Sequence, residues 1–137
     1  MKYIYSLLFV LSVSTGFCQS SITLSGAKAT TIIDPTAHAA NQMMIEFSAT
    51  DPLALNRVEL VLQDGNVNVS TLYFPVTIQN NVAALALDKY KAKFEGRNVR
   101  FVITVRDQFT APFTAIRIKG YDASNQETNV LTFNMQR

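Results

Sequence analysis

Few residues in this chain are equipped for chemistry. Among its 137 residues there is one histidine, His38, and one cysteine, Cys18. A Ser-His-Asp or Cys-His arrangement needs an imidazole that moves a proton near neutral pH. His38 stands in Ala37-His38-Ala39-Ala40 without a polar neighbour in sequence, which suits a structural or solvent-exposed role better than catalysis. Glycoside hydrolysis needs two facing carboxylates, but Glu46 and Glu59 fall on outward positions of strand-like segments with no cleft signature around them. The expectation is a non-enzymatic chain with no catalytic residues. A single cysteine excludes an intrachain disulfide framework and any multi-thiolate metal site.

The acids are unevenly placed. Asp34, Asp64 and Asp107 fall in turns expected at one pole of the molecule, whereas Asp51 and Asp122 end strands that run to the other. Three carboxylates from three loops suffice to coordinate Ca²⁺, so Asp34, Asp64 and Asp107 form the candidate calcium cluster. The competing role is local: aspartate favours turns because it bonds its own backbone. Segment 122–127 (DASNQE) lacks the glycine and spaced acids of an EF-hand loop, and the turn role is the expected one. No other cofactor is implied.

Arg97, Arg100, Arg106, Arg117 and Lys119 cluster late in the chain, yet they alternate with apolar residues as solvent-facing sheet positions do. A net charge of +2 is too even for a nucleic-acid footprint. An anionic partner, glycan or protein, stays open. The most informative aromatic segment is 109–113 (FTAPF). Phe109, Pro112 and Phe113 occupy a connection where polar turn residues are usual. Either these rings are exposed and stack on a sugar or dock on a partner, or they fold beneath the sheets and close the open end of the core, the favoured reading for loop aromatics beside a small core. Tyr73 is a further candidate contact ring. Val61 and Val102 are apolar on nominally outward positions. They mark a covered sheet face or simply suit a strand.

These residues must be held by strands. Val99-Arg100-Phe101-Val102-Ile103-Thr104-Val105-Arg106 alternates with period two, as do the stretches around Met43–Ala49, Val58–Leu62, Phe74–Ile78, Ile116–Lys119 and Leu131–Met135. Strands near Ile22–Leu24 and Val82–Leu87 bring the count to about eight. Asp34-Pro35, Asp51-Pro52, Asp64-Gly65-Asn66 and Gln79-Asn80-Asn81 separate them with turn chemistry. Segment 88–96 (DKYKAKFEG) departs from the pattern. Tyr90 and Phe94 lie four apart between an aspartate and a glycine, which allows a short helix near 88–95, while Lys89, Lys91 and Lys93 would equally share one face of a strand. Half-polar strands joined by short turns predict a single all-β domain, an antiparallel sandwich of about 7–8 strands.

Residues 1–18 (MKYIYSLLFVLSVSTGFC) carry one lysine, an apolar run of about ten residues and a small-residue tail. That is the layout of a secretory signal peptide, and the run falls well short of the roughly 20 residues that span a bilayer. Phe17 stands where a lipobox would place a small residue, so ordinary cleavage after Cys18 is favoured over its lipidation. Cleavage leaves 119 residues, 19–137, with a net charge of +1 and no transmembrane segment. The expectation is export to the periplasm or the cell surface, with 131–137 as a closing strand rather than a sorting tail.

Ala49-Thr50-Asp51 followed by a strand near Val58 resembles the second-to-third strand junction of bacterial immunoglobulin-like and fibronectin-III-like domains. The run from Ile116 to Asp122, then Ala123-Ser124-Asn125 and the strand ending at Met135, resembles their final hairpin, with Ser-Asn in place of a frequent Gly-Asn. The buried tryptophan and paired cysteines of antibody domains are absent. The resemblance implies an immunoglobulin-like sandwich. It leaves two expectations for function: a protein-binding or structural accessory of the bacterial cell envelope, or a small carbohydrate-binding module using loop aromatics.

Overall fold

The computed structural model describes residues 19–32, 40–106 and 114–134. Nine strands form there: β1 (Leu24–Ile32), β2 (Ala40–Ala49), β3 (Leu55–Asp64), β4 (Val67–Gln79), β5 (Val82–Ala86), β6 (Lys91–Lys93), β7 (Asn98–Arg106), β8 (Ala115–Asp122) and β9 (Leu131–Asn134). A 3₁₀ turn, Pro52–Ala54, links β2 to β3. Every strand pairing is antiparallel. One sheet has the order β1-β2-β7 and the other β6-β5-β4-β3-β8-β9. The expected all-β antiparallel sandwich is what the chain forms.

Alternation decides which side chains meet between the sheets. Ile45 and Phe47 of β2, Phe101 of β7, Val58, Leu60 and Leu62 of β3, and Ile116 and Ile118 of β8 are all buried, each two residues from the next on its strand, as a pleat requires. Four phenylalanines tie the sheets edge to face. Phe47 lies 6.1 Å from Phe94 and 6.3 Å from Phe101, and Phe101 lies 5.4 Å from Phe74, centroid to centroid. Such contacts add about 0.5–1.5 kcal/mol each beyond area burial.

The segment that allowed a short helix near 88–95 forms no helix and carries the three-residue strand Lys91–Lys93 instead. Ala92 and Phe94 are buried while Lys91 and Lys93 are exposed, so period two prevails over the four-residue spacing of Tyr90 and Phe94. The two rings serve different partners: Phe94 enters the core, and Tyr90 reaches the β7 edge. The extra strand accounts for nine where about eight were expected. The turns follow their sequence chemistry. Asn80 and Asn81 both take positive φ, 52° and 62°, between β4 and β5, as a two-residue hairpin turn of the primed type requires.

Two seams close the sandwich. At the first, the Asn129 amide pairs with the main chain of Leu24: the Leu24 N–H donates to Asn129 Oδ1 at 2.7 Å, and Asn129 Nδ2 donates to the Leu24 carbonyl at 2.9 Å. Beside it the buried Thr128 accepts the Gly120 N–H at 2.9 Å, and the Ser20 N–H donates to the Glu127 carbonyl. Gly120 leaves the necessary room, since a Cβ there would lie 2.9 Å from Leu55 Cδ2 and 3.2 Å from Thr128 Cγ2. At the second seam, β6 turns into β7 through Gly96 at φ 62°, with Glu95 and Asn98 bonded to each other in both directions.

Asn129→Ala removes both bonds to Leu24 and leaves a partly buried N–H and carbonyl unsatisfied, at a cost of about 2 kcal/mol. Thermal unfolding should show a melting temperature lower by roughly 5–10 °C. A melt indistinguishable from wild type would show that solvent replaces the amide without loss.

Candidate functional site

The outer face of the six-stranded sheet follows from the burial of its inner face. Because Val58, Leu60 and Leu62 point inward, Arg57, Glu59, Val61 and Gln63 of β3 point out. Register then sets their neighbours. Pro75, Tyr73 and Thr71 of β4 lie opposite Arg57, Glu59 and Val61 on one side, and Tyr121, Lys119 and Arg117 of β8 lie opposite them on the other. Three rows of three result, and cross-strand neighbours on one face are close enough to interact.

Interactions tie four members of this grid together. The Arg57 guanidinium carbon sits 4.0 Å from the centroid of the Tyr121 ring, and Lys119 Nζ sits 5.2 Å from it, both within cation–π range. The Tyr121 hydroxyl donates to Glu59 Oε2 at 2.9 Å, and Lys119 Nζ bonds Glu127 Oε1 at 3.2 Å. Tyr121 is consequently 8% exposed although it faces outward. Among the described residues, Arg57 Nε is buried without a hydrogen-bond partner. Burial opposes the charge on Lys119, but the Tyr121 and Glu127 side chains and the Glu59 carboxylate outweigh it and hold the ammonium above the ordinary lysine value. The resulting stabilisation is complete below the unfolded lysine value of about 10.5 and is lost as pH rises through the higher folded value.

Tyr73 stands apart from this tied network. It is 60% exposed, directly across from Glu59, and presents an aromatic face beside a fixed carboxylate. Val61, in the next row, is 8% exposed between Thr71 and Arg117. Its apolar character is therefore accounted for within the chain and requires no covering partner.

The other candidate residues fall as follows. Phe109, Pro112 and Phe113 lie outside the described residues, as do His38, Cys18, Asp34 and Asp107. Of the calcium candidates only Asp64 is described, exposed at the end of β3. Among the described residues no three potential metal ligands come together. Asp122 works within its own turn, where Oδ1 accepts the Ser124 and Gln126 N–H groups, each at 2.9 Å. Val102 is half-buried on β7, and its main chain is engaged by Tyr90.

Two features escaped the reading of the sequence. One is the Arg57–Tyr121–Glu59–Lys119 network, whose members were visible as outward positions but whose meeting depends on β3 pairing with β8. The other is an open groove of about 810 Å³ where the outer face of the three-stranded sheet meets β6, with Lys28, Lys91, Lys93 and Arg100 on its walls. Its signal was the lysine spacing in 88–96.

The described residues form an all-β antiparallel sandwich whose six-stranded sheet carries an interlocked charged and aromatic outer face. Comparison with protein-family models, with curated proteins and with solved structures finds no match to this chain.

The Lys119 environment is directly measurable. In an NMR titration of lysine side chains, Lys119 should have a higher midpoint than the exposed lysines. Glu59→Gln should lower it, because one of the charges holding the proton is gone. A Lys119 midpoint at or below the ordinary lysine value would contradict the assigned network.

Proposed function

We propose that this chain is an exported, non-catalytic module of immunoglobulin-like topology that binds another protein of the bacterial cell envelope by surface complementarity. The Tyr73 face carries this reading. A ring 60% exposed stands beside a row of residues already locked in place by Tyr121. An exposed tyrosine on a rigid support supplies contact area at small conformational cost, and tyrosine and arginine are the residue types that dominate binding hot spots.

Strand order supports the topology. The first two strands and a later one form one sheet, while the third strand pairs with β8 and β8 with the last described strand, the arrangement of immunoglobulin-type sandwiches. The signal-like layout of 1–18 supports export, and with it a partner in the periplasm or at the cell surface.

Affinity purification from native envelope fractions, wild type beside Tyr73→Ala, tests the proposal. Wild type should retain a discrete protein that the variant loses, with about tenfold or greater weakening for a central hot-spot ring. Isolation of wild type as a partner-free monomer after gentle crosslinking would refute it. Glycan-array binding abolished by Tyr73→Ala would transfer the face to the carbohydrate-binding reading.

A further inference from the structure

The groove at the second seam combines an excess of positive charge with a property that the Tyr73 face lacks, an open strand edge. The edge belongs to β7. The Ala49 N–H donates to the Arg97 carbonyl, and the pairing continues in register from Ser48↔Asn98 to Ala40↔Arg106. Alternation therefore turns the main chains of Val99, Phe101 and Ile103 toward β2 and those of Asn98, Arg100, Val102 and Thr104 away from it.

These outward groups are not treated alike. Asn98 is paired with Glu95. The Val102 N–H donates to the Tyr90 hydroxyl at 2.7 Å, and that hydroxyl donates to the Val102 carbonyl at 3.2 Å. One phenol thus supplies both bonds that a neighbouring strand residue would supply. Arg100, between these two positions, has no main-chain partner among the described residues.

The charge lies on the same groove. Lys28, Lys91, Lys93 and Arg100 face Glu46 and Glu95, and Arg100 is bonded to Glu46 at 2.7 Å. Lys91 and Lys93 are exposed on the edge strand of the other sheet, where lysine is also a guard against unwanted pairing. The volume of the groove is in the range of formed ligand sites.

We propose that this groove receives an extended acidic polypeptide segment, which pairs with β7 at Arg100, Val102 and Thr104 by taking the place of the Tyr90 hydroxyl. The outward main-chain groups recur every second residue, roughly 7 Å apart, which is the repeat of another β-strand. Strand addition supplies affinity through these groups, and side chains supply specificity. Lys28, Lys91 and Lys93 select acidic side chains on the incoming strand. Tyr90 acts as a removable latch that keeps the edge satisfied while the groove is empty. The inference shares with the Tyr73 reading only the premise that the chain is a binding module, and it uses different residues.

The test uses the full chain with three probes: an octapeptide alternating threonine and glutamate, its threonine–lysine counterpart, and a linear polyuronate oligosaccharide. The acidic peptide should bind and slow amide exchange at Arg100 and Val102. The lysine peptide should not bind. Tyr90→Phe removes the competing hydroxyl and should tighten binding about five- to hundredfold, the equivalent of the two competing hydrogen bonds it makes to Val102. Lys91→Glu with Lys93→Glu should weaken it at least tenfold. Tyr73→Ala should leave peptide binding unchanged, so failure of the envelope partner and failure of the groove are read separately. Unchanged or weaker binding in Tyr90→Phe, or no protection at Arg100 and Val102, would overturn strand addition. Polyuronate binding lost in the double lysine variant, with no peptide binding, would assign the groove to an anionic glycan instead.

Discussion

The two sheets, three strands and six wide among the described residues, share no continuous ladder at their margins, so main-chain groups there need other partners. That need organises the molecule. At one seam a side-chain amide, Asn129, takes both main-chain groups of Leu24, beside the Ser20–Glu127 main-chain bond. At the other it is a phenol, Tyr90 on Val102, beside the reciprocal pair of Glu95 and Asn98. An unsatisfied buried main-chain group costs about as much as several good packing contacts contribute. The residues that settle these margins therefore matter more than their number suggests.

Closure of the seams keeps water from the phenylalanine array and lets the outer faces specialise. The inward positions of β3 and β8 are wholly apolar, and this frees their outward positions for a charged and aromatic grid. Within that grid, exposure is graded rather than uniform. Tyr121 is covered by Arg57 and Lys119, whereas Tyr73, two strands away, is open to solvent. In the proposed binding role, a fixed support next to a free ring leaves less side-chain freedom to be lost on contact than a set of mobile side chains does.

Period-two alternation made the strands legible, and with them the sandwich, because inward and outward residues differ in polarity along Val58–Leu62 and Ile116–Lys119. The asparagine and glycine turns were legible for a similar reason: few residue types accept positive φ. Segment 88–96 was ambiguous because Tyr90 and Phe94 fit a helical face as well as a strand whose two rings serve different seams. Packing against Phe47 decides for the strand. The grid around Tyr121 could not be read at all, since Arg57 and Tyr121 are 64 positions apart and only the β3–β8 register brings them together. Asn129 was equally silent. It lies between recognisable strands, and nothing local marks an amide that will bond a residue near the opposite end of the chain.

That last pairing has a bearing on the order of events during folding. Leu24 and Asn129 are separated by 105 positions, and contacts of such range are slow to form because a long loop must close first. A chain delivered amino end first, through a ribosomal tunnel or any other narrow passage, presents β1 long before its seam partner has emerged. Until Asn129 arrives, the outward margin of Leu24 is held only by water. Completion of the sandwich is thus timed by the arrival of the segment that carries Asn129, and the bond that seals this seam forms only once 105 further positions have followed Leu24.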